Sequence, residues 1–276
     1  MQENIYANHS VHFPIAEDTS KSPYVISSAY RTLQILLGFA SAPYNFSFSE
    51  LVECSGLERN QLYRSLKTLE EAGLIEVNKD GRYTLTTLVY ALSSACIHAQ
   101  QHSIVNISQP YLNELVAVTQ ESVNLFIRVG DMAVCVDCRD SPKQVRLASV
   151  LGMSVPLHAG AVPKALLAWL PTEQQEMILK QLSDLPAYTT KTIRDADALR
   201  NELLLIRTRG YSISDEDYDL SARGIGVAIF DQNQQAIAGI SVGGPSFRVD
   251  DSMLESFAEL AIQAAAEISR HISYSS

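Results

Sequence analysis

The hydrophobic and polar positions of residues 21–87 predict three helices followed by a β-hairpin. The first helix begins near Ser27 or Ser28, because either hydroxyl can cap a helix N-terminus. A loop at 41–45 separates it from the second helix. The apolar face of the first helix would carry Leu33, Leu36 and Leu37.

The second and third helices carry clear boundary signals. Ser47-Phe-Ser-Glu50 matches a capping box that opens a short helix through Cys54. A turn at 55–56 follows. The third helix then extends from Glu58 to Ala72, with Gly73 as its C-terminal stop.

The remainder of the chain predicts strands between helices. Short β-type runs at 74–77 and 82–85 flank a Gly-containing turn, which indicates a hairpin. Helices are expected at 87–104, 106–120, 164–170, 173–182, 195–209 and 250–269. Strands are expected at 122–129, 132–138, 144–150, 211–214, 224–230 and 236–242. Runs of strands bounded by helices indicate an α+β fold.

The third helix presents two chemically different sides. At about 100° per residue its leucines share one side and its polar residues lie opposite; the leucines are Leu62, Leu66 and Leu69. Arginine can pair with guanine, and asparagine or glutamine with adenine, so the polar side suits the major groove of DNA. An ordinary solvated helix face is the alternative. With phosphate contacts from the hairpin, the candidate DNA-binding residues are Arg31, Arg59, Asn60, Gln61, Tyr63, Arg64, Lys67, Lys79 and Arg82.

Composition places the chain among globular proteins. It has 276 residues, 46% hydrophobic and 19% charged, which favours a folded chain of about two domains. No apolar run approaches the ~20 residues of a membrane span, and residues 1–20 lack the pattern of a secretory signal. The four cysteines, Cys54, Cys96, Cys135 and Cys138, are too few for a disulfide scaffold. We therefore expect a cytoplasmic protein with no membrane partner.

The net charge of −10 argues against an indiscriminate nucleic-acid coat protein. Residues 21–87, however, hold seven basic and seven acidic side chains, whereas residues 88–276 hold fourteen basic and twenty-one acidic ones. The segment with the predicted DNA-binding side is thus free of the acidic bias. Its non-specific binding to DNA should be weak and salt-dependent.

Several motifs between residues 25 and 272 resemble the IclR-type bacterial transcription regulators in order and spacing. The N-terminal motifs are Ser28-Ala-Tyr-Arg-Thr-Leu-Gln-Ile-Leu36, Ser55-Gly-Leu57, Tyr63-Arg-Ser-Leu-Lys-Thr-Leu69, Ala72-Gly-Leu74 and Gly81-Arg-Tyr-Thr-Leu85. The C-terminal motifs are Pro156-Leu-His-Ala159, Lys164-Ala-Leu-Leu-Ala168, Leu199–Leu203, Arg209-Gly-Tyr211, Ala238–Val242 and Gly244-Pro245.

The resemblance implies an N-terminal winged helix-turn-helix, a linker helix and a C-terminal GAF-like effector-binding domain. The implied boundaries are a disordered tail at 1–20, the DNA-binding domain at 21–87, the linker helix at 88–104 and the effector domain at 105–276. We therefore expect a sequence-specific transcription regulator without a cofactor. Its implied partners are double-stranded operator DNA, a small organic or aromatic acid and further copies of itself, as a homodimer or homotetramer. A small-molecule sensor without a DNA role is the alternative.

Positions that line the effector pocket in relatives fall on small residues here. Gly160 and Ala161 stand where the family usually has Thr or Ser before Ala, and an acidic position of some members falls on Ser214. The candidate effector-binding residues are Gly160, Ala161, Ser214, Gly224, Ser241 and Gly243. Small side chains would leave volume for a ring, with hydroxyl and backbone N–H donors for an acid. Compensating changes in packing are the alternative.

Three other patterns suggest different chemistry. Gly-Ile-Ser-Val-Gly at 239–243 matches a hydrolase nucleophile elbow, which keeps an esterase with its serine as nucleophile as a second alternative. Cys135 and Cys138 have a metal-ligand spacing, but residues three apart on a strand point to opposite faces. His98 and His102 could hold a metal only with a third ligand. We therefore expect no metal site.

Overall fold

The computed structural model describes residues 24–39, 44–89, 91–92, 104–148 and 150–274. The chain divides into two compact units, Met1–Gln101 and His102–Ser276. None of the helices formed by the described residues combines the length and hydropathy of a membrane span. The sequence features that lie outside the described residues are the tail at 1–20, Cys96, His98, His102 and most of the linker helix at 88–104. Residues 87–89 and 91–92 are helical.

The N-terminal unit, in its described part, packs helices against a small antiparallel sheet. Helices α1 (Ser27–Gly38), α2 (Phe48–Ser55) and α3 (Arg59–Glu71) precede the hairpin of β2 (Ile75–Val77) and β3 (Tyr83–Leu85). A short strand, β1 (Asn45–Phe46), pairs with β3, so the sheet order is β1-β3-β2. The core of this unit consists of Ile35, Phe39, Phe46, Leu51, Leu62, Leu66, Leu69 and Ile75.

The boundary signals of α2 and α3 are confirmed. The Ser47 side chain accepts from the backbone N–H of Glu50, and the Glu50 side chain accepts from the backbone N–H of Ser47, which completes the capping box. Gly56 ends α2 in the left-handed conformation, with φ 63°. Gly73 follows α3 with φ 72°, and the predicted hairpin forms directly after it.

The first helix differs from its prediction. Ile26 occupies the N-cap position and no side chain caps the helix, so neither predicted serine has that role. Ile35 is fully buried, whereas Leu33 and Leu37 are more than half exposed. The reason is that α3 covers the side of α1 that carries Ile35. Asn45, placed in a loop by the sequence, begins β1 instead.

The C-terminal unit is an antiparallel sheet with helices packed on both faces. Its helices are α4 (Ile104–Thr119), α5 (Ala161–Ala168), α6 (Thr172–Lys180), α7 (Ala196–Arg209) and α8 (Asp251–Tyr274). Its strands are β4 (Ser122–Val129), β5 (Met132–Arg139), β6 (Ser154–Pro156), β7 (Ser212–Asp215), β8 (Ala222–Phe230) and β9 (Ala236–Pro245). The sheet order is β6-β5-β4-β9-β8-β7, and neighbouring strands are antiparallel. The predicted α+β architecture is confirmed.

Alternation along the central strands gives this sheet two different faces. One face is aliphatic and packs against α4 and α8. Its residues include Val123, Leu125, Ile225, Ile240 and Val242. The other face carries small and polar residues, among them the cross-strand row Asn124, Ser241, Gly226 and Ser212. Helix α5 covers this second face, and α7 packs against α5.

The strand predicted at 144–150 is wrong for the described residues of that range. They follow an irregular path that side-chain hydrogen bonds hold in place. Ser122 Oγ donates to Leu147 O at 3.0 Å, and the Arg248 guanidinium donates to Val145 O at 3.0 Å. Strand β6 takes the edge position beside β5 instead.

The prediction that Cys135 and Cys138 point to opposite faces is also wrong. A β-bulge at Val136 shifts the register, so that Cys135 opposes Phe126 and Cys138 opposes Asn124. Because these partners are two residues apart on β4, both cysteines lie on the same face. Burial raises the pKa of Cys135 to about 12, so its thiol stays protonated at neutral pH. The described residues contain no group of side chains that could hold a metal ion.

A buried carboxylate ties the start of β4 to the segment after β9 and to residues 141–148. Glu121 has no exposed surface. It accepts hydrogen bonds from Arg248 at 2.7 and 2.8 Å and from Lys143 at 2.8 Å. Burial opposes its ionisation, but the hydrogen bonds from Arg248 and Lys143 outweigh burial and hold the pKa of Glu121 below its ordinary value of 4.5.

We expect Glu121→Gln to lower the free energy of unfolding by about 2 kcal/mol. This is less than the ~3–5 kcal/mol of a fully buried pair, because Arg248 and Lys143 keep partial access to water. Urea unfolding followed by fluorescence reports on the C-terminal unit, since Trp169 is the one tryptophan of the chain. Exposed Glu114→Gln is the control, and equal unfolding midpoints for all three proteins at pH 7 would contradict the prediction.

The lowered pKa of Glu121 predicts that the free energy of unfolding depends on pH. Because the pKa of folded Glu121 is lowered, its contribution is fully present above pH 4.5 and is lost as pH falls through the folded value. As pH falls, the free energy of unfolding of the wild type should therefore approach that of Glu121→Gln.

Candidate DNA-binding face and effector pocket

Helix α3 separates its leucines from its polar residues as the sequence predicted. Leu62, Leu66 and Leu69 are at most 3% exposed. The exposed residues on its other sides are Arg59, Asn60, Gln61, Tyr63, Arg64, Lys67, Thr68 and Glu71. The helix therefore presents a surface of hydrogen-bond donors and acceptors, of the kind that reads base edges in the major groove.

Two of these side chains have partners within the unit. The guanidinium of Arg59 lies 5.2 Å from the centre of the Phe48 ring, and Lys67 donates to Glu70 at 2.6 Å. Exposed ion pairs contribute little free energy, so the pairing of Lys67 is no obstacle to a phosphate contact. Arg31, on α1, is half-buried.

The hairpin carries two basic residues with different surroundings. Lys79 is exposed in the turn between β2 and β3. Arg82 instead donates to Asn45 Oδ1 at 2.6 Å, to Asn45 O at 3.0 Å and to Glu50 at 2.7 Å. Because Glu50 also caps α2, Arg82 joins the hairpin to that helix. These contacts give Arg82 a role within the unit, and the phosphate contact that the sequence suggested for it stays a prediction.

A cavity of about 140 Å³ lies in the C-terminal unit, between α5 and the small-residue face of the sheet. The six candidate effector residues all line it: Gly160, Ala161, Ser214, Gly224, Ser241 and Gly243. Its volume is close to that of an apolar cavity of ~150 Å³ that binds benzene. The space therefore suits a ligand about the size of one aromatic ring.

The start of α5 forms one wall of this cavity. Gly160, at the N-cap, has φ 85° and ψ 171°, a conformation that is nearly restricted to glycine. The N–H groups of Ala161 and Val162 have no acceptor within the helix, and Pro163 has no N–H to offer. The positive end of the helix dipole therefore adjoins the cavity, which favours a negatively charged group there.

The glycines of the sheet do not leave empty volume, contrary to the expectation from the sequence. A Cβ at Gly226 would lie 2.5 Å from backbone atoms of Ala161 and Val162. A Cβ at Gly224 would lie 2.7 Å from Val242 O. Neighbouring backbone thus occupies the positions of the missing side chains. Gly226 allows α5 to lie directly on β8, and the cavity forms beside that contact.

A buried ion pair fixes one hydroxyl group of the lining. Lys164 and Asp217 are 3% and 4% exposed. The Lys164 ammonium donates to the Asp217 carboxylate and, at 2.7 Å, to Ile213 O. Ser214 donates to the other oxygen of Asp217. The Ser214 hydroxyl can therefore only accept from a ligand, whereas the sequence suggested a donor.

Five further polar residues line the cavity that the sequence did not indicate: Ser122, Asn124, Tyr218, Asp219 and Arg223. Ser122 and Asn124 alternate with Val123 and Leu125 along β4, so a polar residue at every second position of an apolar strand was the available signal for these two. The Asn124 amide donates to Ser241 Oγ at 3.3 Å.

The environment of Ser241 does not match that of a nucleophile. It lies inside β9 rather than on a strand-to-helix turn. His158 contacts a backbone carbonyl oxygen at 3.0 Å, and His271 contacts the Tyr111 hydroxyl at 3.0 Å. No histidine in the described part of the chain is therefore hydrogen-bonded to Ser241.

Comparison with protein families covers both units. Residues 96–270 match the family described as bacterial transcriptional regulator IclR C-terminal, and residues 28–79 match the IclR helix-turn-helix domain. The chain belongs to the IclR family of bacterial transcriptional regulators. It is a DNA-binding transcription regulator and not an enzyme, which confirms the family resemblance and excludes the esterase alternative.

Individual IclR-family proteins are similar over most of their length. The HTH-type transcriptional regulator KipR of Bacillus subtilis is 32% identical over 244 residues, which cover 88% of this chain and 96% of KipR. The crystal structure of the Thermotoga maritima IclR protein is 28% identical, with a TM-score of 0.65 over 90% of this chain and 99% of that one. An IclR homologue from Microbacterium hydrocarbonoxydans, complexed with 4-hydroxybenzoate, shares the fold at 20% identity, with a TM-score of 0.70 over 91% of this chain and 100% of that one.

The contacts of the hairpin predict different outcomes for its two basic residues. Arg82→Ala should speed hydrogen exchange of backbone amides in residues 45–85 roughly tenfold, because hydrogen bonds to a charged group contribute about 1.5 kcal/mol or more. Lys79→Ala should leave exchange unchanged and reduce the salt slope of DNA binding by about 1, as expected when one phosphate contact is lost. Normal exchange in Arg82→Ala would show that the hairpin does not depend on this residue.

Proposed function

We propose that this IclR-family regulator reads operator DNA with α3 and responds to a small organic acid bound in the cavity beside α5. In this proposal residues 21–87 are the DNA-binding domain, 88–104 the linker helix and 105–276 the effector domain. The observation that carries the effector role is that α5 directs its N-terminus to a cavity of ring size whose lining combines apolar side chains with hydroxyl, amide, carboxylate and guanidinium groups.

The DNA-binding role is supported by the exposed side of α3. Arg64 stands opposite the buried leucines and Gln61 lies beside it, so both can reach base edges, while Lys79 can reach a phosphate. Because residues 21–87 carry equal numbers of acidic and basic side chains, one unit attracts DNA only weakly. We therefore propose that a homodimer binds two half-sites in successive major grooves.

An acidic effector is supported by the chemistry of the lining. The N–H groups of Ala161 and Val162 and the positive end of α5 favour a carboxylate. The Microbacterium homologue, which shares this fold, is complexed with the aromatic acid 4-hydroxybenzoate. An aromatic acid of one ring also matches the cavity volume of about 140 Å³.

Substitutions on the exposed side of α3 test the DNA-binding role. Arg64→Ala and Gln61→Ala should each weaken binding to DNA from upstream of the protein's own gene by about 1–3 kcal/mol per half-site, because a base contact is lost. Gel shifts at fixed salt, with the full chain, measure this.

Lys180→Ala, at an exposed position of the C-terminal unit, removes one positive charge as Arg64→Ala does and is the control for net charge. If both α3 variants bind as the control does, α3 does not read the operator.

A panel of acids tests the effector role. We expect at least one of benzoate, 4-hydroxybenzoate, butanoate and succinate to raise the thermal midpoint of the chain, because a ligand that binds only the folded state stabilises it. Ser241→Val should abolish the shift, since it removes a hydroxyl group and adds bulk on the cavity face. Ser154→Val, the same change at an exposed strand position, should keep the shift. An unchanged midpoint with every acid would refute the acidic effector.

A further inference from the structure

A contact between an arginine and an aromatic ring connects the N-termini of α2 and α3. Arg59 is the first residue of α3, and its side chain is exposed. Its guanidinium lies over the ring of Phe48, 5.2 Å from the ring centre. Phe48 is the first residue of α2 and packs, half-buried, against the core of the N-terminal unit. The contact therefore holds the Arg59 side chain against a surface that the core keeps in place.

The hydrogen-bond donors of Arg59 remain available despite this contact. Lys67, farther along α3, donates to Glu70, and Arg82 of the hairpin donates to Glu50. Among the described residues, by contrast, no carboxylate pairs with Arg59. An aromatic ring attracts a guanidinium through its π electrons and accepts only weak hydrogen bonds, so it leaves the five N–H donors for another partner. Arg59 is thus a positioned cation whose donors are unused.

The position of Arg59 on α3 favours a contact with a base. In helix-turn-helix proteins the N-terminal residues of the recognition helix contact base edges, while the preceding helix crosses the backbone. Arg59 lies at that end of α3, whereas Lys67 lies about two turns farther along. An arginine in the major groove pairs through two hydrogen bonds with O6 and N7 of guanine. A guanidinium that is already held in place loses less conformational entropy on forming this pair than a free one does.

From this arrangement we infer that Arg59 reads one guanine in each half-site and that Phe48 is the positioning residue that orients its guanidinium. The inference rests on the proposed function, in which α3 enters the major groove. It assigns a base-specific contact to a residue that charge alone would assign to a phosphate. It also gives an aromatic residue outside α3 a part in the choice of DNA sequence.

Selection from a library of random-sequence double-stranded DNA, with the full chain, tests the guanine contact without an operator known in advance. The wild type should enrich a motif with two half-sites. In Arg59→Ala, one position of each half-site should lose a preference for guanine of about tenfold, because a contact made by two hydrogen bonds is lost. The other positions should keep their preferences. Arg270→Ala, which removes an exposed arginine of α8, is the matched control and should select the wild-type motif.

A double-mutant cycle tests the role of Phe48. Phe48→Leu keeps an apolar side chain but removes the ring, so Arg59 must be ordered when DNA binds, and the preference for guanine should fall about two- to tenfold. Phe48→Tyr keeps the ring and should retain the preference. In the Arg59→Ala background, Phe48→Leu should have no further effect on sequence preference, because the two residues act as one unit. A purely structural role of Phe48 would instead weaken binding to all sequences in both backgrounds.

Each remaining outcome overturns a distinct statement. If Arg59→Ala binds every sequence more weakly by the same factor, with a salt slope reduced by about 1, Arg59 contacts a phosphate and the guanine assignment is wrong. A guanine preference that Phe48→Leu leaves unchanged, or lowers equally in both backgrounds, overturns the positioning role. If Arg64→Ala and Gln61→Ala change the selected motif and Arg59→Ala does not, the inference is wrong and the proposed function stands. If none of the three changes it, or if the wild type selects no motif, the proposed reading of DNA by α3 fails and the inference with it.

Discussion

The arrangement of the C-terminal unit depends on the absence of a side chain at Gly226. A Cβ there would come within 2.5 Å of the backbone of Ala161 and Val162, so any other residue would force α5 away from β8. The close approach sets the position of the helix N-terminus and, through Gly160, the direction from which the chain enters it. The cavity is the space that remains beside this contact, and α7 packs against α5 from outside.

In the N-terminal unit one carboxylate links the elements on either side of α3 in the chain. Glu50 accepts from the backbone N–H of Ser47 at 2.7 Å and from Arg82 at 2.7 Å. The hydrogen bond from the Ser47 backbone, with help from Arg82, lowers the pKa of Glu50 and keeps it ionised at neutral pH. The start of α2 and the hairpin are therefore fixed to each other, with α3 between them in the chain.

The sequence correctly predicted the features that depend on residues close together in the chain. The capping box at Ser47, the left-handed turn at Gly56 and the two sides of α3 follow from residues within a few positions of one another. The features that it missed arise from distant contacts. Both sides of α1 carry apolar residues, so the pattern could not tell which side α3 covers. The bulge at Val136 reverses the facing of Cys138, and no local signal marks it. The six candidate effector residues came from family resemblance, whereas the contribution of Tyr218, Asp219 and Arg223 to the same cavity required the structure.

Because side chains alternate between the two faces of a strand, the central strands place core residues on one face of the sheet and cavity residues on the other. On β9, Ile240 and Val242 face the aliphatic core with α4 and α8, while Gly239, Ser241 and Gly243 face the other way. Core residues and cavity residues thus alternate along β9, but the cavity face is itself largely closed to substitution. A Cβ at Gly239 or Gly243 would lie within 2.9 Å of neighbouring atoms, as one at Gly224 or Gly226 would on β8. A designer who wishes to build a sensor for another metabolite would therefore vary the positions of that face that already carry side chains, such as Ser122 and Ser241, and leave the glycines unchanged.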